Sequence, residues 1–138
     1  MFKQFYSKKV LDHFRNPRNM GEMKNSDGVA TVGNPVCGDV MRLFIKVGQK
    51  PSFAKKLRKG KKYIKDVRFK TLGCAAAIAV SSILTTMVKG KSLKEVEKIT
   101  NQTVIKALGG LPHAKTHCSL LAVDALKKAI KNYRRQKS

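Results

Sequence analysis

Between Ile64 and Val88 the chain changes its hydrophobic period once, and that change limits the folds open to it. Up to Leu72 apolar residues alternate with charges: Val67, Phe69 and Thr71 are separated by Arg68 and Lys70. This is the pattern of a strand in a sheet with one wet face. After Cys74 the alternation gives way to a nearly unbroken apolar run, Ala75 to Val80, continuing through Ile83, Leu84, Met87 and Val88. Alanine is the best helix former, and little charge before Lys89 marks a largely buried helix. Strand signals lie before the switch and helix signals follow it.

Three strand runs precede the switch. The first holds Val29 and Val32, the second Val40, Met41, Leu43, Phe44, Ile45 and Val47, and the third Ile64, Val67, Phe69 and Leu72. Short connections favour antiparallel pairing. Ahead of them, Tyr6, Val10 and Phe14 recur every four residues, which predicts an amphipathic helix over 3–14. Asn16-Pro17 stops it, because the residue before a proline is pushed out of the helical region. Asn25, Asp27 and Gly28 mark a turn.

Behind the switch, Gly90 ends the apolar helix. Ser92 with Glu95 is a capping-box signature for a second short helix, and Asn101 is the expected cap of a third, which Gly109-Gly110 ends. The last helix carries Leu120, Val123, Leu126, Ile130 and Tyr133 on one stripe and closes in lysines and arginines, which suit a helix C-terminus. The expected fold is α+β: a small three-stranded antiparallel sheet with helices packed on one face. A length of 138 residues fits a single domain, 1–138.

The charge is extreme, with 30 Lys plus Arg against 8 Asp plus Glu, a net of +22. Such a field attracts anions of every kind. The basic residues run along nearly the whole chain, and no nucleic-acid module with interleaved aromatics is visible, so specific nucleic-acid binding is not expected. The densest stretch, Gly48 to Lys62, reads as a long basic loop, either a solvated hairpin extension or a docking patch for an acidic partner. No apolar stretch approaches the roughly 20 residues of a membrane span. Met1 to Tyr6 carries no secretory signal, so a cytoplasmic location is expected.

Cys37, Cys74 and Cys118 are the three cysteines. Three cannot all pair, and few, widely spaced cysteines point to metal or thiol chemistry. Cys37 lies in Gly33-Asn34-Pro35-Val36-Cys37-Gly38-Asp39, a tight loop that brings backbone close to something, with the Asp39 carboxylate two residues away. Cys74 follows Gly73 at the start of the apolar helix, and Cys118 follows His117 at the start of the last one. Amides and dipole at a helix N-terminus favour the thiolate, which is both nucleophile and metal ligand. A zinc ion and an iron–sulfur cluster each take four such ligands. The long spacings exclude a zinc finger but leave one shared labile site and three separate thiols both open.

The chain resembles the IscU/NifU N-terminal family of iron–sulfur cluster scaffolds over almost its whole length. The opening Tyr6 to Phe14 with Asn16-Pro17-Arg18-Asn19-Met20-Gly21 is similar to that family's N-terminal segment. Gly33 to Asp39, Phe69 to Cys74, and Leu111 to Lys115 with His117-Cys118-Ser119 are similar to its three cysteine motifs, in order. The resemblance implies that Cys37, Cys74 and Cys118 gather at one exposed end, with Asp39 and His117 completing the metal site. It implies assembly of a labile 2Fe–2S cluster from iron and from persulfide sulfur delivered by a cysteine desulfurase, and transfer to apo iron–sulfur acceptor proteins. The protein itself would not be an enzyme. Cys118 is the implied sulfur acceptor, and Asp39 the ligand that keeps the cluster exchangeable, since oxygen suits iron–sulfide chemistry less well than a fourth thiolate.

Further expectations come from the same resemblance. A ferredoxin and frataxin are implied partners, and Leu111, Pro112 and Lys115 the grip of an Hsp70-type chaperone with its J-protein. A homo-dimer, and the mitochondrial matrix for a mature eukaryotic form, are compatible with it. The isolated protein is expected to be able to carry zinc on the same ligands. Ala75-Ala76 stand where the family more often has Gly-Ser, and His113-Ala114 where it has Pro-Val. Two rivals are a zinc-bearing SufU-type sulfur-transfer protein and a basic nucleic-acid module with a structural metal. The SufU branch carries an insertion between the second and third cysteine motifs that this chain lacks. The nucleic-acid reading leaves the cysteine settings unexplained. A thiol enzyme using Cys118 with His117 is a third, argued only from adjacency.

Overall fold

The computed structural model describes residues 6–34, 39–49, 61–112 and 115–137. The element order is α1 (Lys8–Arg15), β1 (Gly28–Asn34), β2 (Asp39–Gln49), β3 (Lys62–Leu72), α2 (Ala75–Val88), α3 (Leu93–Glu97), α4 (Asn101–Ala107) and α5 (Thr116–Lys137). The strands form one antiparallel sheet in the order β1-β2-β3. Ala30 faces Leu43, which faces Phe69, so the inward rows of the three strands coincide. This is the α+β arrangement the change of period predicts.

Met41, Leu43, Ile45, Ile64, Val67 and Phe69 are fully buried beneath the helices. α5 lies along β1 and β2, α2 along β3, and α1 packs on α2. Gly28 lets α5 approach: a Cβ there would collide with the Ala129 carbonyl and come 3.0 Å from Tyr133 Cβ. The outer edge of β3 is not bare. Phe69 N–H donates to Asn19 O and Gly21 N–H to Phe69 O, while Ile64 exchanges two backbone bonds with Gly90 and Lys91. Covering an edge this way removes a template for pairing with other chains.

The helix ends differ in detail from the sequence reading. The first described helix starts at Lys8 rather than residue 3, because the Ser7 hydroxyl accepts the Val10 N–H and caps it; residues 3–5 lie outside the described residues. Its Phe14 is exposed, and the inward positions are Val10 and His13. The third short helix is capped by Thr100, whose hydroxyl accepts from Thr103 N–H, and Asn101 is its first residue. On α5 Leu120 is exposed and Leu121 takes the inward place. Leu72, the last residue of the strand, is 75% exposed.

α2 is apolar yet carries three buried hydroxyls, Ser81, Ser82 and Thr85. Ser82 Oγ accepts the Arg18 N–H at 2.8 Å and meets His13 Nδ1 at 2.7 Å, and Asn19 Nδ2 donates to Thr85 Oγ1 at 3.0 Å. His13 is thus a packing histidine. Burial, then the nearby Arg18 charge, hold it below the usual imidazole range.

Candidate metal and sulfur site

Three element ends meet at one end of the sheet. β2 begins at Asp39, its neighbour Val40 pairs with Leu72 at the end of β3, and Gly73 then leads straight into Cys74, the N-cap of α2. The start of α5 brings His117 and Cys118 to the same place. Cys74 Sγ lies 3.9 Å from Cys118 Sγ, and Cys118 Sγ lies 3.5 Å from Asp39 Oδ2 and 3.6 Å from His117 Nε2. His117 Nε2 is 3.8 Å from Asp39 Oδ2. One atom each from Asp39, His117 and Cys118 lies within 4.8 Å of the others, close enough to share a metal ion.

Gly73 is required by this arrangement. A Cβ at that position would lie 2.8 Å from Asp39 Oδ1 and 3.0 Å from Ala77 Cβ. The glycine of the second cysteine motif therefore makes room for the carboxylate that follows the first. Asp39 is buried and Cys118 fully so, whereas Cys74 and His117 are part-exposed. The donors offer sulfur, oxygen and nitrogen, a set that suits zinc as well as iron.

The thiol electrostatics overturn one expectation. A helix N-terminus was expected to favour the thiolate at Cys118. Instead burial, and then the neighbouring Cys74 and Asp39, push its thiol well above the ordinary cysteine range. The His117 imidazole folds back onto the Cys118 sulfur, so the neighbours in sequence are neighbours at the site as well.

Two residues of minor weight in the sequence reading lie within electrostatic reach of the thiols. Lys115 is raised above the usual lysine range, chiefly by Cys74 and also by Tyr6, Cys118 and Asp39. Tyr6 is raised by burial and then by Cys74. The lysine sits one turn before the α5 cysteine, and its N–H donates to Pro112 O at 2.8 Å. Leu111 is half-buried against the core, and Pro112 is half-buried as well. Cys37, with Pro35, Val36 and Gly38, lies outside the described residues, as do His113, Ala114 and most of the basic loop, 50–60.

The family profile described as NifU-like N terminal domain matches residues 5–138. An iron–sulfur cluster assembly scaffold protein, IscU 1 of Archaeoglobus fulgidus, is 53% identical over 131 residues, covering 95% of this chain and 78% of that protein. The IscU scaffold of Buchnera aphidicola is 50% identical over 135 residues, covering 96% of this chain and 97% of its own. In three dimensions the chain is similar to a NifU-like N-terminal protein from Brucella abortus, with a TM-score of 0.70 at 21% identity over 97% of both chains. At that identity the likeness speaks for the fold.

Proposed function

The chain belongs to the NifU-like N-terminal domain family, and on that premise we propose that it is a scaffold on which iron–sulfur clusters are assembled. The observation that carries the reading is the convergence of Cys74, Asp39 and the adjacent pair His117-Cys118 from three separate stretches of sequence. The relatives at about half identity bear the scaffold name over nearly all of this chain. Residues 1–138 act as a single scaffold domain, and the cluster is its cargo.

Cys37, Cys74 and Cys118 supply sulfur ligands, and Asp39 with His117 completes the set. A cysteine desulfurase presents a persulfide. The Cys118 sulfur attacks its outer sulfur, the S–S bond breaks, the desulfurase leaves as a thiolate, and Cys118 holds the persulfide. Because Cys118 is protonated in the fold, it must first give up its proton, and the His117 imidazole 3.6 Å away and the Asp39 carboxylate are in reach to take it. Iron then binds the same donors, and a ferredoxin supplies electrons with frataxin assisting. A 2Fe–2S cluster held partly by oxygen is released to apo-proteins, aided by an Hsp70-type chaperone and J-protein at Leu111, Pro112 and Lys115. Work of this kind belongs in the cytoplasm or mitochondrial matrix; among the described residues no helix is long and apolar enough to cross a membrane. Zinc can occupy the same donors in isolated protein.

The test is anaerobic reconstitution with iron, cysteine and a desulfurase, followed by absorption and Mössbauer spectra and transfer to an apo-ferredoxin. A 2Fe–2S signature that moves to the acceptor is the expected result. Persulfide without any cluster, at full iron loading, would overturn it in favour of simple sulfur transfer.

A further inference from the structure

We propose that the end of the molecule opposite the thiols is a second docking site, for an acidic protein segment bearing one large apolar side chain. A cleft of about 250 Å³ opens there between the start of β3, α3 and the end of α5. Its floor is Leu93 and Tyr133, both buried, and its rim is Lys61, Lys62, Lys94 and Arg134, all exposed. Among the described residues the nearby carboxylates are committed: Asp27, behind Lys62 and Tyr133, accepts the Val47 N–H and pairs with Lys46. Glu97 takes both Arg134 nitrogens, at 2.6 and 3.1 Å, and Glu95 closes the α3 capping box with Ser92. Cations thus remain in excess around an apolar hollow.

The hollow decides the kind of anion. It is smaller than the roughly 300 Å³ at which drug-sized pockets begin, so it takes one side chain rather than a cofactor. RNA would want an open ring to stack on. Tyr133 is only 4% exposed, and Lys62 Nζ already stands 5.4 Å over its ring. A membrane presents a flat surface, which does not enter a concave cleft. A carboxylate-rich peptide with one aromatic or aliphatic anchor satisfies both the rim and the floor.

Position gives the site its use. β3 runs from Lys62 at the cleft to Leu72 beside the thiols, about 30 Å at strand rise. A partner held at the cleft leaves the sulfur end free for a second protein, so two partners can be bound at once.

The test titrates the full chain, labelled with ¹⁵N, with a short Asp/Glu peptide containing one central Phe. The amide shifts are expected to centre on residues 61–62, 92–94 and 133–134. Replacing the peptide's Phe by Ser should weaken binding roughly fivefold. Lys62→Glu with Lys94→Glu should weaken it about tenfold, and the control pair Lys106→Glu with Lys128→Glu, the same charge change elsewhere, about twofold. Shifts spread evenly over the basic surface, equal losses in both variant pairs, or tighter binding to oligo-uridine or phosphatidylserine vesicles would each overturn the proposal. No iron or sulfur enters the measurement, so its failure leaves the scaffold reading standing.

Discussion

Asp39 and Gly73 are in contact across the end of the sheet: the space a Cβ on residue 73 would need is held by the Asp39 carboxylate, 2.8 Å away. Gly73→Ala should therefore push the carboxylate off its place beside Cys118. The crowding against the Asp39 carboxylate and Ala77 Cβ should cost about 1–3 kcal/mol in chemical denaturation, and iron retained after reconstitution should fall together with it. A variant that keeps full stability and full iron would show that the carboxylate moves freely.

Asp39→Ala removes the oxygen donor and leaves the sulfurs. Cluster transfer to an apo-ferredoxin should slow by roughly tenfold, while the assembled cluster survives longer against a chelator. Stopped-flow absorption during transfer checks this. Transfer at the parent rate would remove Asp39 from the release step.

Cys118 is buried and its folded pKa is raised above the ordinary value of 9.0. Its protonated form is therefore favoured by folding, and that stabilisation is full below the ordinary value and lost as pH climbs past it. In the metal-free protein, iodoacetamide should modify part-exposed Cys74 well ahead of Cys118 at neutral pH, with Cys118 catching up only under strongly alkaline conditions. Mass spectrometry of tryptic peptides reads both rates. Equal labelling at neutral pH would mean that the sulfur is open to solvent.

His13 behaves in the opposite sense. Its folded pKa is depressed by burial below 6.5, so the unfolded chain takes up a proton more readily. The contribution is complete above 6.5 and is lost as pH falls below it. The denaturation midpoint should drop between neutral and mildly acidic pH, and His13→Gln, which cannot titrate, should flatten that slope. An unchanged slope in the variant would assign the acid sensitivity to another group.

The sheet was legible because its signals are local. The alternation Val67-Arg68-Phe69-Lys70-Thr71 and the apolar run after Cys74 each state a period. Helix ends were read less well where neighbouring residues can both cap. Thr100 and Asn101 are such a pair, and geometry rather than type chose the threonine. Leu120 was misplaced because an apolar residue near an element's end faces whatever lies beyond it. At the site, glycines and cysteines marked the place, but the burial of Cys118 is a property of the packed core that no spacing encodes. The fit of Gly73 to Asp39 likewise joins the turn after β3 to the start of β2, and only the assembled sheet displays it.

The seam between residues 13–19 and α2 is stitched by Ser82 and Thr85 to His13, Arg18 and Asn19. Bonds of that kind can be handed to water one at a time, whereas separating α5 from the sheet wets mainly greasy surface, although the Asn132 amide also donates to Val29 O. Warming should consequently peel the amino-terminal helix away first, in a partial opening well short of global melting. Since the packing it leaves is the flank of α2, the element whose tip is Cys74, that opening would lie directly behind the chemistry.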